Sequence, residues 1–137
     1  MNIGENKMAI NVELFDRLID AVENGLPKIA FGMSNWDTSV EEAAAFATDD
    51  EKHILYNDET IEEFKTCDSV CCIGGTLEHL VSFDNTGYLH EELGVDEHEW
   101  DHMCYPKNAK NYLATRKEAA DALRYMKETG LCGWDRN

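Results

Sequence analysis

The segment His98-Glu99-Trp100-Asp101-His102 matches the H-E-x-x-H pattern of zinc hydrolases. On a helix, residues four positions apart lie on one face, so both imidazoles would reach the same metal ion. Glu99 would then act as general base toward a metal-bound water. A third ligand is needed, and Glu118 and Cys104 are the candidates. This pattern gives one hypothesis: a zinc-dependent hydrolase.

Two features of the same segment count against zinc catalysis. Zinc peptidases usually carry uncharged residues before and inside the motif, whereas this chain has Glu97 and Asp101 there. Trp100 and Met103 are the apolar residues of the predicted helix and would face the core, which leaves the histidines exposed. The alternative is therefore an ordinary acidic surface helix that holds neither metal nor catalytic residues.

Cysteines form the second group that could carry chemistry. Cys67, Cys71 and Cys72 lie in one short stretch, and a zinc site would need further ligands from Cys104, Cys132, His79 or His102. Their spacing is not the paired C-x-x-C of structural zinc sites. We expect Cys71 and Cys72 to be small buried apolar residues. A nucleophilic Cys67 or Cys71 at a helix N-terminus is the alternative, and the neighbouring Asp68 opposes it.

Paired acidic residues are the third feature, and they are concentrated between residues 41 and 63. We predict an interaction surface made of Glu41, Glu42, Asp49, Asp50, Glu51, Asp58, Glu59, Glu62 and Glu63. On helices, such carboxylates could imitate the phosphates of a nucleic-acid duplex and bind a protein that normally binds DNA or RNA. The alternative is that these charges only keep the protein in solution.

Net charge limits the classes of partner. The 137 residues carry a formal charge of −16, so direct binding to nucleic acid or to an anionic membrane is disfavoured. A helix-turn-helix outline at 89–104 is disfavoured as a DNA reader for the same reason, because its second helix is acidic. Residues 105–137 hold seven bases and four acids. This basic end would either give the protein an acidic and a basic side for interactions, or pack on the acidic body and neutralise part of it.

The remaining patterns predict an all-α fold in one domain over residues 1–137, with a loose start at 1–9. Apolar periodicity and capping residues indicate about six short helices around a central buried helix at 69–83. The first is predicted to start at an Asn11 cap and stop at Gly25, and the last to start at Thr115 and end at Gly130. Ser39 with Glu42, Thr60 with Glu63 and Thr115 with Glu118 match the capping-box pattern. Gly74 and Gly75 would destabilise the central helix unless another helix packs closely over them. With no secretory signal, no membrane span and an odd number of cysteines, we expect a cytoplasmic protein.

Several of these pieces together resemble an uncharacterised family of small phage and bacterial proteins with a C-G-T-x-x-C-I-A-G motif. The matching segments cover roughly residues 12–134: Phe31-Gly32-Met33 with Trp36, Cys67 to Gly75, Leu93-Gly94-Val95, Ala114-Thr115 through Leu123, and Gly130 with Trp134. Asp68 and Gly74 stand where the family has Gly and Ala. The resemblance implies a small helical fold and a phage or prophage origin, and it supplies no catalytic residues.

The sequence therefore favours a small acidic protein, without enzymatic activity or cofactor, that binds a basic nucleic-acid-handling host protein as a mimic or inhibitor. The zinc hydrolase is the alternative from the enzyme class. A structural or assembly role is the third hypothesis. The oligomeric state stays open.

Overall fold

The computed structural model describes residues 9–47, 49–81 and 89–135, with the backbone alone at Asp49. Residues 1–8 of the expected loose start at 1–9 and residues 82–83 of the expected central helix lie outside this description. The described part is mostly helical, with eight α-helices, but it also contains a small three-stranded sheet. The all-α prediction is therefore correct for the helices and wrong for the sheet.

The elements follow one another closely. In chain order they are α1 (Val12–Asn24), β1 (Ile29–Phe31), β2 (Asp37–Ser39), α2 (Val40–Phe46), α3 (Asp49–Leu55), α4 (Asp58–Glu63), β3 (Ser69–Cys71), α5 (Ile73–Leu80), α6 (Leu89–Leu93), α7 (Glu97–Cys104), a 3-10 helix (Ala109–Leu113) and α8 (Arg116–Thr129).

The sheet has the order β1–β3–β2. β1 and β3 are parallel, with Phe31 opposite Cys71. β2 and β3 are antiparallel, with Asp37 opposite Cys71 and Ser39 opposite Ser69. Strands of three residues are too short to show a side-chain alternation, and they exist only because distant segments pair.

The predicted central helix at 69–83 begins later than expected. Its first residues form β3, and α5 starts only at Ile73, with Cys72 as the N-cap. The predicted close approach over the glycine pair is confirmed, but the approaching segment is a loop. A Cβ on Gly74 would overlap the ring of Trp36, and one on Gly75 would overlap the Trp36 carbonyl.

The main core lies between α1 and α8, with α5, α6 and α7 around them. Phe15, Leu18 and Val22 of α1 are fully buried there, as are Leu123 and Met126 of α8. Both helices begin and end where the sequence predicts. Asn11 caps α1, a Thr115–Glu118 capping box opens α8, and Gly130 ends α8 in the left-handed conformation. Of the helices described, none is both long enough and apolar enough to cross a membrane.

A second, smaller core lies on the other side of β3. It contains Ala30, Ala43, Ala47, Tyr56 and Val70. The three short helices α2, α3 and α4 supply much of its cover, and α3 is a helix that the sequence analysis did not predict. This small core sets the orientation of most of the predicted acidic surface.

Candidate functional site

Helix α2 carries the first acidic pair. Ser39 accepts a hydrogen bond from the backbone N–H of Glu42 (3.1 Å) and so begins the helix where the sequence predicts. Ala43 packs into the small core, which directs Glu41 and Glu42 to solvent. The local amphipathicity of α2 thus places both carboxylates at the surface.

Helix α3 continues the surface. Asp50 and Glu51 are exposed, while Tyr56 just after the helix is buried in the small core. The Tyr56 hydroxyl donates to Asn35 Oδ1 (2.7 Å), and its ring meets Phe64 edge-on at 4.9 Å. Asp49 belongs to α3, but only its backbone is described. Tyr56 is therefore the anchor that fixes α3 against the rest of the chain.

Helix α4 is capped differently from the prediction. Asn57, not Thr60, accepts the capping hydrogen bond, from the N–H of Thr60 (2.8 Å). The buried Thr60 hydroxyl instead donates to the carbonyl of Phe31 (2.6 Å). This inward contact turns Asp58, Glu59 and Glu62 outward, and all three are exposed.

Glu63, the last predicted interaction residue, points inward. Its carboxylate accepts two hydrogen bonds from Arg116 of α8, from Nε (2.8 Å) and Nη2 (3.1 Å). It also accepts the backbone N–H of Phe31 (3.0 Å). Glu63 thus joins α4, β1 and α8, and this structural role withdraws it from the surface. We call the exposed set the acidic surface: Glu41, Glu42, Asp50, Glu51, Asp58, Glu59 and Glu62.

Two large apolar side chains stand exposed within the same segment. Phe46, at the end of α2, is 77% exposed, and Ile54, on α3, is 68% exposed. They are the most exposed large hydrophobic side chains of the described residues. Apolar anchors surrounded by charged groups are the composition of a protein-binding surface, because burying them on a partner supplies affinity and the charges supply selectivity. Neither residue was predicted from the sequence as part of a site.

The basic C-terminal helix neutralises a different part of the body. Lys127 pairs with Asp16 of α1 at 2.9 Å, and Arg124 pairs with Glu23, which also lies on α1. Arg124 holds the pKa of the Glu23 carboxyl below its ordinary value through their hydrogen bond. The predicted neutralisation by the basic end thus occurs at α1 and at Glu63. Of the acidic surface, Glu59 accepts the backbone N–H of Arg116 (3.1 Å).

The H-E-x-x-H segment lies on α7, as predicted. Glu99 is already engaged, since its carboxylate accepts the backbone N–H of Cys132 (2.7 Å). Glu118 is engaged as well, because it closes the capping box on the N–H of Thr115 (2.9 Å). In the described ranges, no metal-binding group of three includes His98 or His102. His102 borders a depression of about 330 Å³ with Glu99, Lys107 and Trp134, whereas His98 is simply exposed.

Buried cysteines match the prediction of small apolar residues. Cys71 and Cys72 are 0% and 2% exposed. Burial raises the pKa of the Cys72 thiol to about 11, although the amides of Gly75 and Gly74 oppose the shift. Burial also raises the pKa of Cys71, and the carboxylate of Asp37 adds to that shift. A neutral thiol is a poor nucleophile, so this geometry does not favour covalent catalysis at either residue.

No family model, no curated protein and no solved structure matches this chain. The resemblance to the phage and bacterial family stays a prediction.

Proposed function

We propose that this protein is a small interaction protein whose acidic surface binds a basic, nucleic-acid-handling protein of a host cell. The observation that carries the proposal is the exposure of Phe46 and Ile54 among the carboxylates of helices α2, α3 and α4. Solubility alone would explain the charges. The exposed Phe46 and Ile54 in the same segment add apolar area that a partner would bury.

The two kinds of side chain have different roles in the proposed complex. The segment between residues 41 and 63 has nine acids and one lysine, which attracts a basic partner and speeds its encounter. Phe46 and Ile54 would be buried on the partner and slow dissociation. The same charge repels phosphates, so the protein would occupy the nucleic-acid site of its partner and would not bind nucleic acid itself. Five free thiols suit a reducing compartment, and we place this function in the cytoplasm.

The test is an affinity capture from a host extract, with matched variants of the bait. The surface variant removes five charges by Glu41→Gln, Glu42→Gln, Asp50→Asn, Asp58→Asn and Glu62→Gln. The control removes five exposed charges elsewhere, by Glu13→Gln, Glu91→Gln, Glu97→Gln, Asp101→Asn and Glu128→Gln. A third bait carries Phe46→Ser and Ile54→Ser.

We expect the native bait to retain a basic nucleic-acid-binding protein that duplex DNA displaces in competition. The charge variant and the apolar variant should each lose that protein at least tenfold, and the control should keep it. Raising salt toward 1 M should weaken the complex, because the screening length falls to about 3 Å. A partner that is retained equally by all four baits, or that duplex DNA does not displace, would contradict the proposal.

A further inference from the structure

Three potential metal ligands from three separate elements meet at one point beside the sheet. They are the carboxylate of Asp37 on β2, the thiol of Cys71 on β3 and the imidazole of His79 on α5. Their ligand atoms all lie within 4.8 Å of one another. Across the described ranges, no other group of three or more acidic, histidine or cysteine side chains converges this closely.

The fold itself brings these groups together. Asp37 and Cys71 are cross-strand partners in the antiparallel pair β2–β3, which puts their side chains on the same side of the sheet. The chain then turns at Cys72 into α5, which carries His79. Trp36 precedes Asp37 and packs on the glycine pair at the start of α5. The close contact between Trp36 and α5 therefore also holds the Asp37 carboxylate next to His79.

The order of the contacts argues against a catalytic cysteine. The thiol of Cys71 donates a hydrogen bond to Asp37, and the same carboxylate lies 3.3 Å from Nε2 of His79. In a nucleophilic triad the imidazole lies between the thiol and the carboxylate, whereas here the carboxylate is in the middle.

We propose that Asp37, Cys71 and His79 bind a divalent transition-metal ion, with zinc as the preferred ion. One thiolate, one imidazole and one carboxylate are all zinc ligands, and this mixed set does not suit the all-oxygen coordination of calcium or magnesium. Ligand atoms around a tetrahedral zinc stand roughly 3.3 to 3.8 Å apart, given bonds of about 2.0–2.3 Å. The Asp37–His79 separation already falls in that range.

The surroundings favour a cation. Glu78 adds a further negative charge close enough to act on the Cys71 thiol. On binding, the divalent ion would displace the proton of the Cys71 thiol, which passes to water, and the charge of the ion would offset the negative charges of the thiolate and of Asp37. The side chains of His79 and Asp37 are 34% and 40% exposed, so an ion can enter from solvent. The fourth position would be open to water or an external ligand, as in zinc sites with three protein ligands.

Metal titration of the full chain tests this site. Zinc alone is added to chelator-treated protein and followed by calorimetry, and cobalt is used in parallel because a cobalt–thiolate bond absorbs in the near ultraviolet. The ligand variants are Asp37→Asn, His79→Gln and Cys71→Ser. Cys67→Ser is the control for a thiol outside the site, and the double variant His98→Gln with His102→Gln is the control for the other histidine pair.

We expect one metal ion per chain, with a loss of affinity of at least about tenfold in each ligand variant and none in the controls. The cobalt–thiolate absorption should disappear in Cys71→Ser. Asp37→Asn and His79→Gln alter half-exposed groups and keep the fold, so they decide the question even if Cys71→Ser is unstable. Absence of stoichiometric binding, or binding that persists in both of these variants, would overturn the site. Loss of binding only in the double histidine variant would assign the metal to α7 instead. None of these outcomes depends on the acidic surface, so they leave the proposed protein–protein function untouched.

Discussion

Arg116 and Glu63 form a bidentate ion pair that ties helix α8 to helix α4. The same guanidinium donates to the carbonyl of Val22 at the end of α1 (2.7 Å) and to that of Ile29 in β1 (3.1 Å). It also lies 5.8 Å from the ring centroid of Phe31. One arginine side chain therefore connects four elements, and it links the main core to the segment that carries the acidic surface.

We expect Arg116→Ala to lower the free energy of unfolding by about 2 kcal/mol. The side chains of Arg116 and Glu63 are only 13% and 26% exposed, so the change leaves a partly buried carboxylate and two carbonyls without their donor. Arg116→Lys should recover little of the lost stability, because an ammonium group cannot reproduce the planar set of N–H donors of the guanidinium. Urea unfolding measures the loss. Lys65→Ala removes an exposed pair with Glu62 and should change stability by less than about 1 kcal/mol. Equal losses in Arg116→Ala and Lys65→Ala would contradict the role given to Arg116.

We expect Gly74→Ala to destabilise the protein, against the usual trend. Alanine in a helix is normally favoured over glycine by about 1 kcal/mol. Here the added methyl group would overlap the ring of Trp36, and overpacking of this kind costs about 1–3 kcal/mol. A double-mutant cycle in thermal or urea unfolding isolates the contact. In a Trp36→Ala background the same glycine substitution should be neutral or stabilising, and destabilisation in both backgrounds would rule out this explanation.

We expect stability to fall as the pH rises above 9, partly through Cys104. Burial raises the pKa of this thiol well above its ordinary value of 9.0. The folded state therefore keeps the proton while the unfolded state loses it. The stabilisation is complete below pH 9 and decreases above it, by up to about 1.4 kcal/mol per pH unit. Urea unfolding between pH 8 and pH 10 measures the slope. The Cys104→Ala variant should show a smaller slope than the native protein, and an unchanged slope would contradict this assignment.

We expect Phe46→Ser and Ile54→Ser to leave the free energy of unfolding within about 0.5 kcal/mol of the native value. Both side chains are largely exposed, and surface substitutions away from special contacts change stability little. Leu18→Ala in the main core should cost about 2–5 kcal/mol for comparison. Urea unfolding of all three variants makes the comparison. A large loss from either serine would mean that these residues stabilise the fold itself, and their role as anchors for a partner would then lose its support.

Features encoded by neighbouring residues could be predicted from the sequence. The bounds of α1 and α8 follow from apolar periodicity with a polar cap at one end and glycine at the other, and Asn11, Thr115 and Gly130 lie where expected. The burial of Cys71 and Cys72 followed from their apolar surroundings. Of the nine acids predicted for the interaction surface, seven are exposed, as charged side chains on short helices generally are, and their role in binding stays a prediction.

Features that depend on distant contacts could not be predicted. The three strands exist through pairing across about 30–40 residues of chain, and Asp37 becomes a neighbour of Cys71 only through that register. Glu63 matched a capping pattern with Thr60, but the stronger charge-assisted bond to Arg116 takes its carboxylate. The exposure of Phe46 and Ile54 likewise depends on which surfaces the remaining chain leaves uncovered.

The pairing of Ser39 with Ser69 has a consequence for how this protein can change in evolution. Residues 40–68 begin and end at this pair, so β2 and β3 form a hairpin. Its loop of 29 residues carries the whole acidic surface. Inside that loop, Asn57, Glu59 and Glu63 make side-chain hydrogen bonds to the C-terminal part of the chain. Other positions of the loop can be exchanged or lengthened at small cost to the main core. The main core would thus stay constant while residues 40–68 change to bind other partners, as variable loops do in other folds.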